Sequence, residues 1–386
     1  MGSLSHLVVA ALLSVMLGAC GGSQDPPSTP PVTEPPGAPP AGEVFTAEDG
    51  TRFAVRAVAA GLEIPWSLAF APDGRLFVTE RPGRVRILQN GRLLPAPALS
   101  LEGLYTRDES GVLGLALHPQ FASNHYVYIV YTTNGRDGPI ARLVRYREVG
   151  NTLGEAAVLL DDVPAANIHN GARVRFGPDG ALYVTFGDVA RPSVAQDLAS
   201  LNGKVLRLTD DGRTPPGNPF NSPVWSWGHR NPQGLDWHPE TGDLFETEHG
   251  QVGNDEINVV DAGRNYGWPV IEAGATRPDM QAPVTFFSPA VAPSGASFYR
   301  GAAFPSFRNH LFVATLRGQA LLRVRLDAAD PRRVAGIERL VEGRYGRLRD
   351  VVSAPDGSLY FCTSNRDGRA SPASDDDRIL QIVPVS

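Results

Sequence analysis

One unit recurs along this chain and limits what it can fold into. It reads F-A-P-D-G-R-L-F-V-T-E from Phe70 to Glu80, L-H-P-Q-F and then V-Y-I-V-Y between Leu117 and Tyr131, and F-G-P-D-G-A-L-Y-V-T-F-G-D from Phe176 to Asp188. Further copies are W-H-P-E-T-G-D-L-F-E-T-E (Trp237 to Glu248), F-R-N-H-L-F-V-A-T-L (Phe307 to Leu316) and S-A-P-D-G-S-L-Y-F-C-T-S (Ser353 to Ser364). Each couples a P-D-G-like turn to a short alternating strand, which is a hairpin signal. A second strand follows several copies, as in Gly83 to Leu88, Lys204 to Leu208 and Leu321 to Leu326. The copies recur at spacings of roughly 50 to 65 residues, and no long helical periodicity interrupts them. Regular hairpins at a fixed period imply radial repetition, so the expected fold is all-β, a six-bladed β-propeller. In such a ring the loops at one end converge, and distant segments can build one site.

The chain of 386 residues, 42% hydrophobic and 20% charged, can bury a core. A formal net charge of −6 gives no reason to expect nucleic-acid binding. Lys204 is the only lysine, which leaves little room for Schiff-base chemistry. Of the two cysteines, Cys362 reads as a small core hydrophobe within L-Y-F-C-T. The other, Cys20, closes a leader in which a short apolar run, Leu7 to Leu17, leads into L-G-A-C. The run has signal-peptide length and is too short to span a bilayer comfortably. L-G-A-C resembles a bacterial lipobox, which implies cleavage before Cys20 and its lipidation. The expected organisation is a lipoprotein signal over 1–19, a Pro-rich linker over 20–42 and the propeller over 43–386. The expected location is the cell envelope, with membrane contact through the lipid anchor alone.

Polar residues concentrate between Trp225 and Pro269, in W-S-W-G-H-R-N-P-Q-G, E-T-E-H-G-Q-V-G-N-D-E-I-N and G-R-N-Y-G-W-P. Arg230, Asn231, Gln233, His249, Asp255, Glu256 and Asn258 are interleaved there with turn formers, so backbone amides and carbonyls are being positioned too. Such a mixture suits an anionic ligand beside a hard cation. A second cluster, I-H-N-G, puts His169 just before a strand, and Asp188 ends the same hairpin. Hairpin geometry brings those two ends together, so Asp188 can orient His169 or hold a substrate hydroxyl. Arg347 and Arg349 share one strand face at i, i+2, and Arg230 and Arg317 lie at other strand ends. Four converging guanidinium groups would suit a small polyanion. Glu256 and the carbonyl of Tyr266 are candidate Ca²⁺ ligands, because Ca²⁺ takes carboxylate and backbone oxygens.

Taken together and in order, G-V-L-G-L-A-L-H-P, H-N-G, F-G-D, G-K-V-L-R-L, G-H-R-N-P-Q-G, E-H-G, D-E-I-N, N-Y-G-W-P, A-P-S-G and R-L-R-D-V resemble the soluble pyrroloquinoline quinone (PQQ)-dependent aldose and glucose dehydrogenases. The similarity spans Phe53 to Val383. It implies that His169 is the general base and Asp188 its partner near the substrate. It implies that Arg230 and Asn231 contact the quinone and that Arg347 and Arg349 face its carboxylates. Arg317 stands where a lysine is usual, and Glu109 where a glutamine near the cofactor is common. Gly250 and Gln251 match the backbone carbonyls of a catalytic Ca²⁺, and Glu256 with Tyr266 a second, structural one. The implied activity is oxidation of an aldose sugar at its anomeric carbon to a lactone, with electrons passed to an external acceptor. Two other readings remain open from the residues alone: a Ca²⁺-dependent lactonase or esterase propeller, and a non-catalytic binding propeller.

Overall fold

The computed structural model describes residues 42–385; the leader, Cys20 and most of the Pro-rich linker lie outside the described residues. Six antiparallel sheets form a ring, so the chain is an all-β six-bladed propeller. The inner strands are Pro65–Phe70, Val112–Leu117, Val174–Phe176, Pro232–Trp237, Pro293–Phe298 and Leu348–Ser353. Each packs on the next and the last packs on the first.

The six repeated sequence units fall at the same place in every sheet, where the inner strand turns into or gives way to the second. In three of these turns the aspartate of P-D-G folds back on the chain. Asp73, Asp179 and Asp356 accept backbone N–H bonds from the residue two positions on, at 3.1, 3.1 and 2.9 Å. The following glycine takes the left-handed conformation the turn requires, as at Gly74 with φ +85°.

The second strands differ from the expected alternation. Leu76–Glu80, Leu182–Phe186, Leu244–Glu248 and Leu311–Thr315 are buried at every position. Each sheet is covered by a neighbour on both faces, so neither face needs to be polar. Tyr128 and Val130 of one sheet thus share a core with Val184 and Leu206 of the next. Full burial of each such side chain contributes about 1.5–3 kcal/mol. Cys362 is likewise fully buried, and burial raises its thiol pKa well above the usual value.

The ring closes by joining the two ends of the chain. Arg52–Ala59 pairs antiparallel with Ile379–Pro384, with Phe53 opposite Pro384 and Ala57 opposite Leu380. This pairing covers what would otherwise be an exposed edge. Because every inner strand runs the same way, the segments before each inner strand and after each second strand share one rim. His169, Asp188, Arg230, Gly250, Arg317 and Arg347 all belong to such segments.

Candidate active site

On that rim His169 Nδ1 lies 2.7 Å from Asp188 Oδ1. His169 adopts φ +57° and its backbone N–H donates to Glu109 Oε2 at 3.0 Å. The left-handed backbone and this anchor turn the imidazole toward Asp188. Asp188 is buried, and its carboxylate also accepts from Ala190 N–H at 2.9 Å and from the Trp268 indole N–H at 2.8 Å. A carboxylate can only accept these bonds, so the imidazole proton is held on Nδ1. Nε2 has no protein partner among the described residues and is left as the basic nitrogen.

Arginines converge around this pair. Arg347 pairs with Asp367 through Nε and a terminal nitrogen, both at 2.8 Å. Arg349 donates to Gln233 Oε1 at 3.0 Å and approaches Asp367 at 3.8 Å. Desolvation brings the Arg349 guanidinium down to about 10; Asp367 and Glu109 oppose this, while Arg347 and Arg81 add to it. Arg230 donates to the His249 carbonyl at 3.1 Å and lies over the Trp268 ring at 5.3 Å. Desolvation pushes His249 down to about 4, so its imidazole is neutral near pH 7. Arg317 does not join this cluster: its side chain is exposed and has no hydrogen bond or ion pair among the described residues. It follows the second strand Leu311–Thr315 on the same rim, with its side chain exposed.

Glu109 is not an isolated carboxylate on this rim. It pairs with Arg369 at 2.9 Å, and Arg369 also holds Asp108 at 2.7 Å. Burial alone would raise its pKa, but His249, Arg369 and the His169 N–H hold it below the usual carboxylate range.

The rim retains donors without partners. Arg230 Nε, Arg349 Nε and Asn231 Nδ2 are buried and make no hydrogen bond among the described residues, although Asn231 Oδ1 accepts from Gly171 N–H at 3.0 Å. Unmatched buried donors are costly, and three of them here fit an anionic, acceptor-rich ligand.

Beside them lies an acidic layer. The strands Leu244–Glu248 and Asp255–Val259 pair Glu246 with Asn258 and Glu248 with Glu256. Like charges directly opposite one another repel unless a cation or proton intervenes. Burial, then the neighbouring Glu248, pushes Glu256 up to about 8, and Glu246 rises well above its usual value for the same causes. His229 lies 3.2 Å from Glu248 Oε1 and stacks on Tyr266. Arg230, Glu248, Gly250, Asn254, Glu256, Tyr266 and Glu272 border a space of about 10 Å³, room for one ion-sized particle. The Tyr266 hydroxyl already donates to Val259 O at 2.6 Å, so only its carbonyl is a candidate ligand. Gly250 is enclosed by the carbonyls of Gly253 and Asn254, where any side chain would collide, while Gln251 is exposed. Hard oxygen donors of this kind suit Ca²⁺.

Several members of the site escaped the sequence reading. Arg81 follows the second strand of its blade, the position that Asp188 and His249 hold near theirs, so aligning the repeats would have found it. Glu246 and Glu248 share one strand face at i, i+2, a readable pattern. Asp367 and Arg369 come from a long connection and left no comparable signal, while Trp268 lies in the N-Y-G-W-P motif but was not assigned a role there.

Residues 62–372 match the family model described as Glucose / Sorbosone dehydrogenase. The aldose sugar dehydrogenase YliI of Escherichia coli is 32% identical over 332 residues, covering 80% of this chain and 89% of that protein. The quinoprotein glucose dehydrogenase B of Acinetobacter calcoaceticus is 27% identical, covering 94% of each chain. Among solved structures, the PQQ-bound aldose sugar dehydrogenase of Streptomyces coelicolor is 38% identical with a TM-score of 0.77, covering 90% of this chain and 99% of that one.

Proposed function

The chain belongs to the glucose/sorbosone dehydrogenase family of oxidoreductases, and from that premise we propose that it oxidises aldose sugars to lactones with PQQ and Ca²⁺. The observation that carries this reading is the His169–Asp188 pair beside three orphaned buried donors. Arg230, Asn231, Arg347 and Arg349 would hold the PQQ carboxylates and carbonyls. The backbone carbonyls at Gly250 and Gln251 would hold one Ca²⁺, and Glu256 with its neighbours Glu246 and Glu248 and the Tyr266 carbonyl a second. When bound, PQQ supplies the two-electron acceptor for the anomeric C–H, chemistry that no side chain here can provide.

The protein's part is acid–base and positional. His169 Nε2 takes the proton of the anomeric hydroxyl. Asp188 then faces an imidazolium and stabilises its charge through the Nδ1–H bond. The Trp268 and Ala190 donors keep Asp188 fixed, so the base does not rotate away. Electrons leave to an external acceptor, because C-x-x-C-H, the mark of covalent haem, is absent from the sequence.

His169→Gln tests this reading. It should leave PQQ binding near that of the parent while slowing sugar-dependent reduction at least about 100-fold in a single turnover. Unchanged reduction would remove His169 from the chemistry, and PQQ binding with no reduction by any sugar in a panel would favour a non-catalytic propeller. We also propose that Cys20 carries a lipid anchor; Cys20→Ser should release the protein from bacterial membranes, and absence of labelled fatty acid on Cys20 would sink that idea.

A further inference from the structure

The opposite mouth of the channel carries a second cavity of about 560 Å³. It is bordered by Phe70, Leu117, Arg175, Asp236, Arg300 and Ser353, among others. Between it and the rim described above lies a closed layer. Arg173, with no exposed surface, bonds Asp350 at 3.0 Å, Ser67 at 3.1 Å and the Gln233 carbonyl at 2.6 Å, and lies over the Trp66 ring. Arg173 immediately precedes the inner strand Val174–Phe176 and Asp350 lies within Leu348–Ser353, so their fully buried ion pair stands between the two mouths.

The charges of this second mouth do not cancel internally. Arg300 grips Asp236 through both terminal nitrogens, at 2.7 and 2.9 Å. Asp236 also accepts from the Phe298 and Trp237 amides, so its oxygens are spoken for. Arg175 is left over. Among the described residues it makes no ion pair and no side-chain hydrogen bond, yet its Nε and one terminal nitrogen are buried. The neighbouring Arg173 cannot serve it, being a cation already matched to Asp350. A half-buried guanidinium with two desolvated nitrogens and no acceptor is destabilising unless something else provides one. A planar fork of donors is shaped for the two oxygens of a carboxylate or phosphate. The remaining walls, Phe70, Leu117, Phe176 and Val352, would accept an apolar body, and the volume is that of a small-molecule site.

We propose that the cavity around Arg175 is a second binding site, for a small organic anion whose carboxylate or phosphate pairs with that guanidinium, independent of the redox site across the Arg173–Asp350 layer.

The probes are inorganic phosphate, which tests the charge, and benzoate, which adds an apolar ring. Each is titrated calorimetrically into the protein without PQQ. Saturable binding is expected, weakened at least about tenfold by Arg175→Gln, preserved by Arg175→Lys for phosphate, and unaffected by Arg347→Ala on the other rim. Diffraction from a crystal soaked in selenate locates the anion without any substitution, and an anomalous peak is expected beside Arg175. Equal affinity in Arg175→Gln, loss of binding only in Arg347→Ala, a selenate peak confined to the Arg230–Arg347 rim, or no saturable binding of either probe would each overturn the proposal.

Discussion

Asp188→Asn is the substitution whose outcome follows most directly from the geometry. The carboxylate receives three donors: His169 Nδ1–H at 2.7 Å, Ala190 N–H at 2.9 Å and the Trp268 indole N–H at 2.8 Å. An asparagine has one acceptor oxygen and one donor NH₂ in their place. If its oxygen keeps His169 and Ala190, the NH₂ faces the Trp268 N–H. If it turns to Trp268, the NH₂ faces the Ala190 N–H and can be accepted only by a deprotonated Nδ1. That second arrangement moves the imidazole proton onto Nε2, where the base is needed. Either way one buried donor loses its acceptor, at a cost of about 1–3 kcal/mol in denaturant unfolding. The rate should fall by about 10²–10⁴, the range a positioned base contributes, because the imidazolium also loses its counter-charge. The assay is single-turnover sugar oxidation by protein reconstituted with PQQ and Ca²⁺. Trp268→Phe is the control: it removes one donor to Asp188 but leaves the tautomer, so its rate should fall less than about tenfold. An Asp188→Asn rate within about threefold of the parent would refute the tautomer argument.

Arg347→Ala should weaken PQQ binding by roughly one to two orders of magnitude in a fluorescence titration. It should also lower stability, because buried Asp367 then keeps only the Arg369 backbone N–H at 3.0 Å and the distant Arg349 at 3.8 Å; an unchanged titration midpoint would remove Arg347 from the cofactor cradle. Adding Ca²⁺ to chelator-treated protein should raise the unfolding midpoint, and Glu256→Gln should reduce that gain; a midpoint indifferent to Ca²⁺ would argue against the acidic layer as its site. Burial and the cations Arg323 and Arg325 push His310 down to about 4, from an unfolded value near 6.5, while Asp49 opposes them. Its folded pKa being depressed, the stability it contributes is complete above pH 6.5 and is lost as pH falls toward 4. His310→Asn, which keeps an acceptor for the Arg323 Nε–H bond of 3.0 Å, should flatten that stretch of the urea-midpoint profile against pH.

What could be read from the sequence is what is local or periodic. The P-D-G turns fix hairpins through an aspartate and a glycine only residues apart, so six copies revealed the ring. His169 and Asp188 lie 19 positions apart on one hairpin, and the hairpin itself brings them to 2.7 Å. Trp268, the second anchor of Asp188, is 80 positions away in another blade, and no spacing rule connects the two. Arg369 reaches Glu109 across 260 positions, because loops from different blades converge on one rim. The strand alternation was misjudged for a related reason: a lone sheet has a wet face, whereas a blade has a neighbour on each side.

The arrangement of charge on the rim explains how it could accept an anionic ligand without repelling itself. Arg81, Arg230, Arg347, Arg349 and Arg369 contribute five cations, against the carboxylates of Asp108, Glu109, Asp188 and Asp367. Asp367 holds Arg347 in place and screens Arg349, and Glu109 with Asp108 does the same for Arg369. Glu109 is therefore not a liability beside a polyanion, since its charge is matched by an arginine from the closing blade while its other oxygen fixes the His169 backbone. The cations it helps organise are set before any ligand arrives, so little side-chain entropy remains to be lost on binding. The excess of positive charge, concentrated at Arg230 and Arg349 with their unmatched Nε–H groups, is what a ligand bearing several carboxylates would complete.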